Sequence, residues 1–168
     1  MSGIVVRAAA EEDLGEITRI YGHYVLNTCA SFEMEAPDRE EMARRHAGVL
    51  GLGLPYLAAE EDGRVVGYAY ANAYRPRAAY RFTVEDSIYV DAAALGRGCG
   101  EALLAALIER CEQGPWRQMI AVIGESGSAA SVRLHEKFGF REVGRLRAVG
   151  NKFDRWVDSI LMQRALGG

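Results

Sequence analysis

Three alternating glycines form the segment of the sequence with the clearest chemical potential. Gly96, Gly98 and Gly100 lie between a predicted strand and a predicted helix, with Arg97 among them. Without Cβ atoms, the backbone can turn several N–H groups toward one point, and the helix N-terminus adds partial positive charge. The pattern therefore predicts an anion site, with Arg97 as an additional cation. A tight strand-to-helix turn without a ligand explains the same spacing equally well.

Two familiar phosphate-binding motifs do not match this loop. A Walker A loop needs Gly-Lys followed by Ser or Thr, whereas Gly100 is followed by Glu101 and Ala102. A dinucleotide-binding fingerprint belongs to the first strand–helix turn of its fold. Here the loop follows the fourth predicted strand. These mismatches exclude neither a phosphate nor a bare turn, but they exclude the common nucleotide motifs.

Glu85 is the candidate general base. It belongs to a predicted strand over 82–90, in which side chains alternate between the two faces. Neighbouring aromatic side chains can partly desolvate its carboxylate and raise its pKa toward a useful range. The alternative is a solvated acid near a sheet edge. One face carries Glu85, Ser87 and Tyr89, and the other carries Val84, Asp86, Ile88 and Val90, of which only Asp86 is polar.

Two further residues have catalytic and structural interpretations. His135 lies on a short predicted helix, where an imidazole can protonate a leaving group near neutral pH or simply pack against the sheet. Cys99 lies beside helix-terminal N–H groups that can lower a thiol pKa. No His or Asp is visibly paired with Cys99, so the sequence favours a small loop filler over a nucleophile.

Arg75 and Arg77 flank Pro76 just before the strand of the candidate base. A pair of guanidinium groups suits a bidentate grip on a carboxylate or phosphinate. A solvated turn around the proline is the alternative.

The elements that position these residues follow from hydrophobic periodicity and turn signals. Helices are predicted to begin near Glu11, Asp38, Gly100 and Ala129. Consecutive antiparallel strands followed by a strand–loop–helix–strand unit predict an α/β (α+β) fold with a mixed sheet and helices on both faces. The predicted strands cover 4–8, 56–60, 65–73, 82–90, 119–123, 140–149 and 156–162.

Composition sets the class of protein. The 168 residues carry 20 basic and 23 acidic side chains, a net charge of −3, and 49 % are hydrophobic. These values predict one globular domain over 1–168, without a membrane span, a signal peptide or a broad basic face for nucleic acid. Three cysteines without metal-type spacing predict reduced thiols in the cytoplasm and no metal site.

Several motifs together resemble one enzyme superfamily. The strand end 88–90, the loop 95–100 and the following leucine-rich helix resemble motif A of the GNAT N-acetyltransferases, and 131–140 resembles motif B. The stretches 75–80, 83–90 and 149–153 resemble the phosphinothricin/methionine sulfoximine acetyltransferase branch. The resemblance covers roughly residues 4–165.

The resemblance implies a GNAT fold with a mostly antiparallel twisted sheet of about six to seven strands, splayed at an acetyl-CoA site. It implies that the Val90 N–H contacts the thioester carbonyl. Leu95 stands where Gln or Arg is usual, and Ser128 where Asn is common. The implied cofactor-binding residues are Ile88, Tyr89, Val90, Leu95, Gly96, Arg97, Gly98, Cys99, Gly100, Glu101, Ser128 and Ser131.

The branch implies transfer of an acetyl group to the α-amino group of a small amino-acid analogue, in a ternary complex with Glu85 and His135 as catalytic residues. Phosphinothricin, methionine sulfoximine or sulfone, and arsinothricin are the candidate acceptors, and detoxification is the implied role. A homodimer is implied, with 151–153 completing the partner's pocket. The implied substrate-binding residues are Phe32, Arg75, Pro76, Arg77, Ala78, Tyr80, Asn151, Lys152 and Phe153.

Two alternatives remain at this stage. One is acetylation of peptide N-termini or another amine, which predicts an open peptide groove. The other is a non-catalytic acyl-CoA-binding module, which needs the glycine loop but not Glu85.

Overall fold

The computed structural model describes residues 3–124 and 129–167. Strands and helices follow one another in the predicted order. The elements are β1 (Val5–Ala8), α1 (Leu14–Asn27), α2 (Arg39–Gly51), β2 (Tyr56–Glu61), β3 (Arg64–Ala73), β4 (Thr83–Val90), α3 (Cys99–Glu112), β5 (Gln118–Gly124), α4 (Ala129–Lys137), β6 (Arg141–Lys152) and β7 (Arg155–Ala165).

The strands form one seven-stranded sheet in the order β1-β2-β3-β4-β5-β7-β6. Every neighbouring pair is antiparallel except β4 and β5, which run parallel. A parallel pair needs a crossover, and α3 supplies it. The mixed, mostly antiparallel sheet predicted from the sequence is therefore confirmed.

Helices cover both faces of this sheet. On one face, the rings of Tyr21 and Tyr24 from α1 pack against Tyr89 of β4 at centroid distances of 5.0 and 5.2 Å. On the other face, α3 lies very close to β3. The distance is so short that a Cβ at Gly67 would come within 2.8 Å of the Cys99 Sγ. Glycine at this position lets α3 approach closely enough to bury its apolar stripe, which comprises Leu103, Leu104, Leu107 and Cys111.

The predicted start of α2 is confirmed in detail. Asp38 adopts an extended conformation at the N-cap, and its Oδ1 accepts a hydrogen bond from the Glu41 N–H at 2.8 Å. That bond satisfies one of the backbone donors left over at a helix start.

The last hairpin is longer than predicted. Strand β6 continues through Asn151 and Lys152, which pair with Trp156 and Arg155 of β7. The turn is only Phe153 and Asp154, both with positive φ (53° and 56°). Register shifts between 146 and 150 take up the extra residues before the tight turn. The expectation that Asn151 and Lys152 form a loop was therefore wrong.

Strands β4 and β5 separate soon after they meet. Their pairing covers only Thr83, Val84 and Glu85, opposite residues 118–120. Beyond this point β5 continues to pair with β7 through Gly124, while β4 stays paired with β3 as far as Val90. The predicted splay is confirmed, and it opens a gap through the sheet. Within 3–124 and 129–167, no helix has the length and apolarity needed to cross a membrane.

Candidate active site

A cavity of about 1160 Å³ occupies the gap between β4 and β5. Residues from both faces of the sheet line it. Glu85, Ser87 and Tyr89 reach it from the face covered by α1, whereas Asp86, Ile88 and Val90 reach it from the face covered by α3 and α4. Two ligands entering from opposite faces can therefore meet at the splay.

The backbone of β4 offers hydrogen-bonding groups to this cavity. The Asp91 N–H donates to the Val66 carbonyl at 2.8 Å, and the Tyr74 N–H donates to the Thr83 carbonyl at 3.3 Å. Antiparallel ladder bonds alternate along a strand, so the N–H groups of Ile88 and Val90 point away from β3 and into the gap. The Val90 carbonyl accepts the Tyr24 hydroxyl at 2.5 Å. This arrangement leaves the Val90 N–H directed at the cavity.

The glycine loop forms the entrance on the α3 face. Gly96 and Gly98 have φ of +76° and +85°, values that glycine adopts without the penalty of other residues. Gly98 is the N-cap of α3, so the first-turn N–H groups of this helix face the loop. Leu95, Gly100 and Glu101 also line the cavity. Helix-terminal N–H groups, which have no partner within their own helix, lie here beside a strand edge and fit a long ligand that carries phosphates at one end.

Basic side chains lie near this entrance, but Arg97 is directed elsewhere. Its guanidinium contacts the Glu61 carboxylate at 2.7 Å and the Ala93 carbonyl at 2.9 Å, and it does not line the cavity. Arg133 and Lys137 of α4 do line it. Their i, i+4 spacing on one helix face was the signal that the sequence interpretation missed.

Glu85 lies half-buried in the cavity wall. Burial raises the pKa of its carboxyl above the ordinary value, and the charge of Asp86 raises it further. The positive charge of Arg75 opposes both effects. A carboxylate with a raised pKa accepts a proton more readily than a solvated one.

A hydroxyl-rich wall faces Glu85 and was not predicted. The hydroxyl oxygens of Tyr21 and Ser31 lie 2.8 Å apart, and the Tyr21 hydroxyl also donates to the Glu33 carboxylate. Arg45 grips Glu33 with two N–H groups at 2.7 and 2.8 Å. Tyr70 and Ser87 share a side-chain hydrogen bond. These contacts join different elements of the fold, and no local pattern indicates them.

A buried ion pair lies on the opposite face of β4. The His135 Nε2 lies 2.7 Å from Asp86 Oδ2, and its Nδ1 lies 2.7 Å from the Ser131 carbonyl oxygen. Both ring nitrogens thus face hydrogen-bond acceptors, so each needs a proton. The Asp86–His135 pair therefore carries one proton more than a neutral imidazole and an ionised carboxylate would. Burial lowers the pKa of His135, but Asp86 and the Ser131 carbonyl outweigh it, and the net shift is upward.

Cys99 lines the cavity from the start of α3 but is not activated. Burial raises the pKa of its thiol to about 11, away from the range of a nucleophilic cysteine. The interpretation of Cys99 as a small filler agrees with this direction.

The structure brings the predicted site residues together only in part. Glu85, His135, Ser131 and Phe32 line the cavity with the β4 end and the glycine loop. Ser128 lies outside the described residues. Lys152 is buried and donates from Nζ to the carbonyl oxygen of its own chain's Ser31 at 2.6 Å, so it is not free for a partner's pocket. The other predicted substrate-binding residues are exposed and outside the lining, namely Arg75, Pro76, Arg77, Ala78, Tyr80, Asn151 and Phe153.

The fold and the cavity form a site in which a ligand that carries phosphates and a second ligand can meet through a split sheet. Comparison with known proteins gives the family. The chain belongs to the GNAT acetyltransferases, because the family profile described as "Acetyltransferase (GNAT) domain" matches residues 6–161.

Individual relatives indicate which kinds of acetyltransferase in this family the chain is similar to. The chain is 56 % identical to a phosphinothricin N-acetyltransferase of Alcaligenes faecalis over 96 % of this chain and 82 % of that protein. It is 39 % identical to an L-methionine sulfoximine/L-methionine sulfone acetyltransferase of Salmonella typhimurium, covering 97 % and 95 %. The crystal structure of a phosphinothricin acetyltransferase from Sinorhizobium meliloti in complex with AcCoA matches with a TM-score of 0.93 and 48 % identity, covering 98 % and 89 %. The predicted resemblance, fold and enzyme class are thereby confirmed.

Proposed function

We propose that this chain transfers an acetyl group from acetyl-CoA to the α-amino group of a small amino-acid analogue of the phosphinothricin or methionine sulfoximine type. One observation carries the proposal. A half-buried carboxylate, Glu85, lines the same gap as the inward-pointing Val90 N–H and the glycine loop. The names of the most similar relatives support the acceptor class.

The donor binds on the α3 face in this proposal. The N–H groups at the start of α3 and the side chains of Arg133 and Lys137 suit the phosphates of acetyl-CoA. The backbone of β4 over 88–90 suits its amide-bearing arm. When bound, acetyl-CoA supplies an acetyl group activated as a thioester.

Glu85 removes the proton that blocks the acceptor nitrogen. An ammonium has no lone pair, so the acceptor must lose a proton before it can attack. The raised pKa of Glu85 makes it a better proton acceptor than a solvated carboxylate. The Val90 N–H is placed to donate a hydrogen bond to a carbonyl oxygen that gains negative charge.

For His135 we propose a positioning role instead of the predicted direct acid. Its two nitrogens are each held 2.7 Å from an acceptor, and its side chain is 5 % exposed. Delivering a proton into the cavity would break one of these buried hydrogen bonds. Kept intact, the Asp86–His135 pair ties α4 to the splayed half of β4.

We further propose that two copies of the chain form a homodimer. The acceptor end of the cavity presents Glu33 and Glu85, whereas its lining cations, Arg133 and Lys137, lie on the donor side. The proposed acceptors carry an anionic group in addition to the amine. Arg75 and Arg77 of the exposed loop, with Asn151 and Phe153 of a partner, are candidates to complete this end.

An acceptor panel tests the proposal. CoA release is measured with acetyl-CoA and phosphinothricin, methionine sulfoximine, methionine sulfone, arsinothricin, ordinary amino acids and short peptides. The proposal expects turnover on at least one analogue, with peptides inactive. Turnover on peptides alone would establish the N-terminal acetyltransferase instead, and acetyl-CoA binding without turnover would establish a binding module. For a detoxification role, we also expect that expression of the chain protects a sensitive bacterium from the analogue that the chain acetylates best.

A further inference from the structure

One wall of the acceptor end is a short irregular segment, residues 29–33, which we call the strap. It follows α1, and its residues 30–33 line the cavity. The strap belongs to no strand or helix, so side-chain contacts from its neighbours must fix its position. Those contacts come from two sides.

The helical side holds the strap by its polar groups. The Tyr21 hydroxyl of α1 lies 2.8 Å from the Ser31 Oγ. Arg45 of α2 forms a two-pronged ion pair with Glu33 at 2.7 and 2.8 Å. This geometry restricts both partners more than a single contact does.

The sheet side holds the strap through Lys152 of β6. Its Nζ donates to the Ser31 carbonyl oxygen at 2.6 Å, across 121 residues of sequence, and the residue is only 2 % exposed. Desolvation lowers the pKa of this ammonium, and the negative charge of Glu33 opposes that shift. Burying a cation is costly, so the contact is maintained against an opposing free energy. A lysine exposed to solvent would avoid this desolvation cost, which is why the buried hydrogen bond to Ser31 is informative about the role of Lys152.

Two glycines hold the aromatic ring of the strap. The Phe32 ring reaches across the sheet from Gly124 of β5 to Gly150 of β6. A Cβ at Gly150 would lie 2.5 Å from Phe32 Cε2 and 2.8 Å from Cζ, and one at Gly124 would lie 3.3 Å from Cε1. Gly150 does not have a positive φ, so the position requires glycine's small size and not its backbone freedom.

We propose that Gly150 and Lys152 are positioning residues of the reaction, which hold Phe32 and Ser31 in place and so set the width of the acceptor end. This inference rests on the proposed function, because it takes the acceptor end to be where the amino-acid analogue binds. The β6–β7 hairpin then acts first on its own chain. Neither residue lines the cavity, so both act through the strap.

A matched glycine pair provides the kinetic test. Gly150→Ala places a methyl group against the Phe32 ring, which can swing away because it is the end of a side chain. Gly144→Ala is the control on the same strand, since a Cβ there meets nothing within 4 Å. For the acceptor that the panel identifies, kcat/KM should fall about tenfold in Gly150→Ala. The KM for acetyl-CoA should stay within about twofold, and Gly144→Ala should match the wild type.

A double-mutant cycle separates a displaced ring from general damage. In a Phe32→Ala background, the ring is absent, so adding Gly150→Ala should change kcat/KM by less than about twofold. An equal loss in both backgrounds would overturn the proposal. So would an equal loss in Gly150→Ala and Gly144→Ala.

Hydrogen exchange tests the strap without relying on turnover. Lys152→Met removes the donor to Ser31, and backbone exchange over residues 29–33 should speed up about tenfold while exchange in α3 is unchanged. If this variant does not fold, the same measurement on Gly150→Ala replaces it. Unchanged exchange over 29–33 in the folded variant would overturn the proposal. If no analogue is acetylated, the exchange result still decides the role of the strap.

Discussion

Two consecutive acids in β4 have opposite environments. Glu85 is half-buried in the cavity on the α1 face, with a raised pKa. Asp86 points to the other face, where its carboxylate is buried against His135. Strand alternation separates them by face but not by distance, so each charge acts on the other. The pKa of Glu85 thus depends on Asp86, which strand alternation shows only as the one polar residue on an otherwise apolar face.

Asp86→Asn should destabilise the protein most at low pH. The folded-state pKa of His135 is raised, so its contribution is fully present below the unfolded value of about 6.5 and is lost as pH rises through the folded value. An asparagine can donate to a neutral His135 but cannot balance a charged one. Urea unfolding should therefore show a loss of about 3 kcal/mol at pH 5.5 and a smaller loss at pH 8.5. An equal loss at both pH values would contradict the charged pair.

Sequence reasoning reached these residues unequally. Glu85 was found because its strand carries a recognisable motif and places the acid among aromatic residues. The partner of Asp86 was not found, because 49 residues separate it from His135 and only tertiary packing brings the two together. The same holds for Lys152 and Ser31, which are 121 residues apart.

At the scale of elements, the glycine loop determines how α3 begins. Gly98 occupies the N-cap with a φ of +85°, in the left-handed region that side chains with a Cβ adopt only with strain. That conformation turns the chain from β4 into α3 and exposes the first-turn N–H groups. The backbone part of the proposed donor site is therefore a consequence of the turn itself.

Gly98→Ala should affect both stability and donor affinity. We expect a loss of about 1 kcal/mol in unfolding free energy from the strained φ, together with a several-fold rise in the KM for acetyl-CoA. Gly48→Ala is the control, because Gly48 lies inside α2 with open space around its Cβ. That substitution should stabilise the protein by up to about 1 kcal/mol and leave the KM unchanged. A Gly98→Ala variant with normal stability and normal KM would refute this account of the loop.

Sequence signals predicted the helices and strands well where the capping or turn residues are distinctive. The start of α2 at Asp38 appears as expected, and Asp62 and Gly63 form the tight turn between β2 and β3. The β6–β7 hairpin was predicted too short, because the predicted strand ended at Val149. In the structure Gly150 remains within β6, and its missing side chain makes room for Phe32 from a distant segment.

At the scale of the whole molecule, apolar side chains remain exposed on the β6–β7 hairpin. Val149, Phe153 and Trp156 are 54 %, 50 % and 72 % exposed. Grouped exposed apolar residues mark interaction surfaces more often than scattered ones do. The proposed homodimer would cover this hairpin and bring Asn151 and Phe153 to a partner's acceptor end.

Trp156→Asp should therefore weaken self-association. Light scattering after gel filtration should give a dimer mass for the wild type and a monomer mass for this variant. Acceptor turnover should fall with the dimer, while acetyl-CoA binding, measured by calorimetry, should persist. Leu52→Asp is the control, since Leu52 is 55 % exposed at the end of α2, outside the hairpin. A monomeric wild type with full activity would contradict the proposed assembly.

The order of elements and the mixed sheet followed from sequence periodicity, but the cavity did not. Its shape depends on where β4 and β5 part, and three register pairs decide that point. Its acceptor wall depends on the strap, which local propensity describes only as irregular. Contacts between segments distant in sequence define both features, so local patterns do not reveal them, and only the family resemblance predicted that the two strands separate.

The most direct test of the central claim is the pH dependence of kcat/KM for the wild type and Glu85→Gln, measured from pH 5 to pH 10. Wild-type activity should fall on the acid side as Glu85 is protonated, at a pH above the ordinary carboxyl range because its pKa is raised. In Glu85→Gln, only acceptor that is already deprotonated can react. Its rate near neutral pH should drop about 100-fold and then climb about tenfold per pH unit toward the wild-type value. Full turnover of Glu85→Gln across pH 6 to 9 would show that Glu85 is not the base.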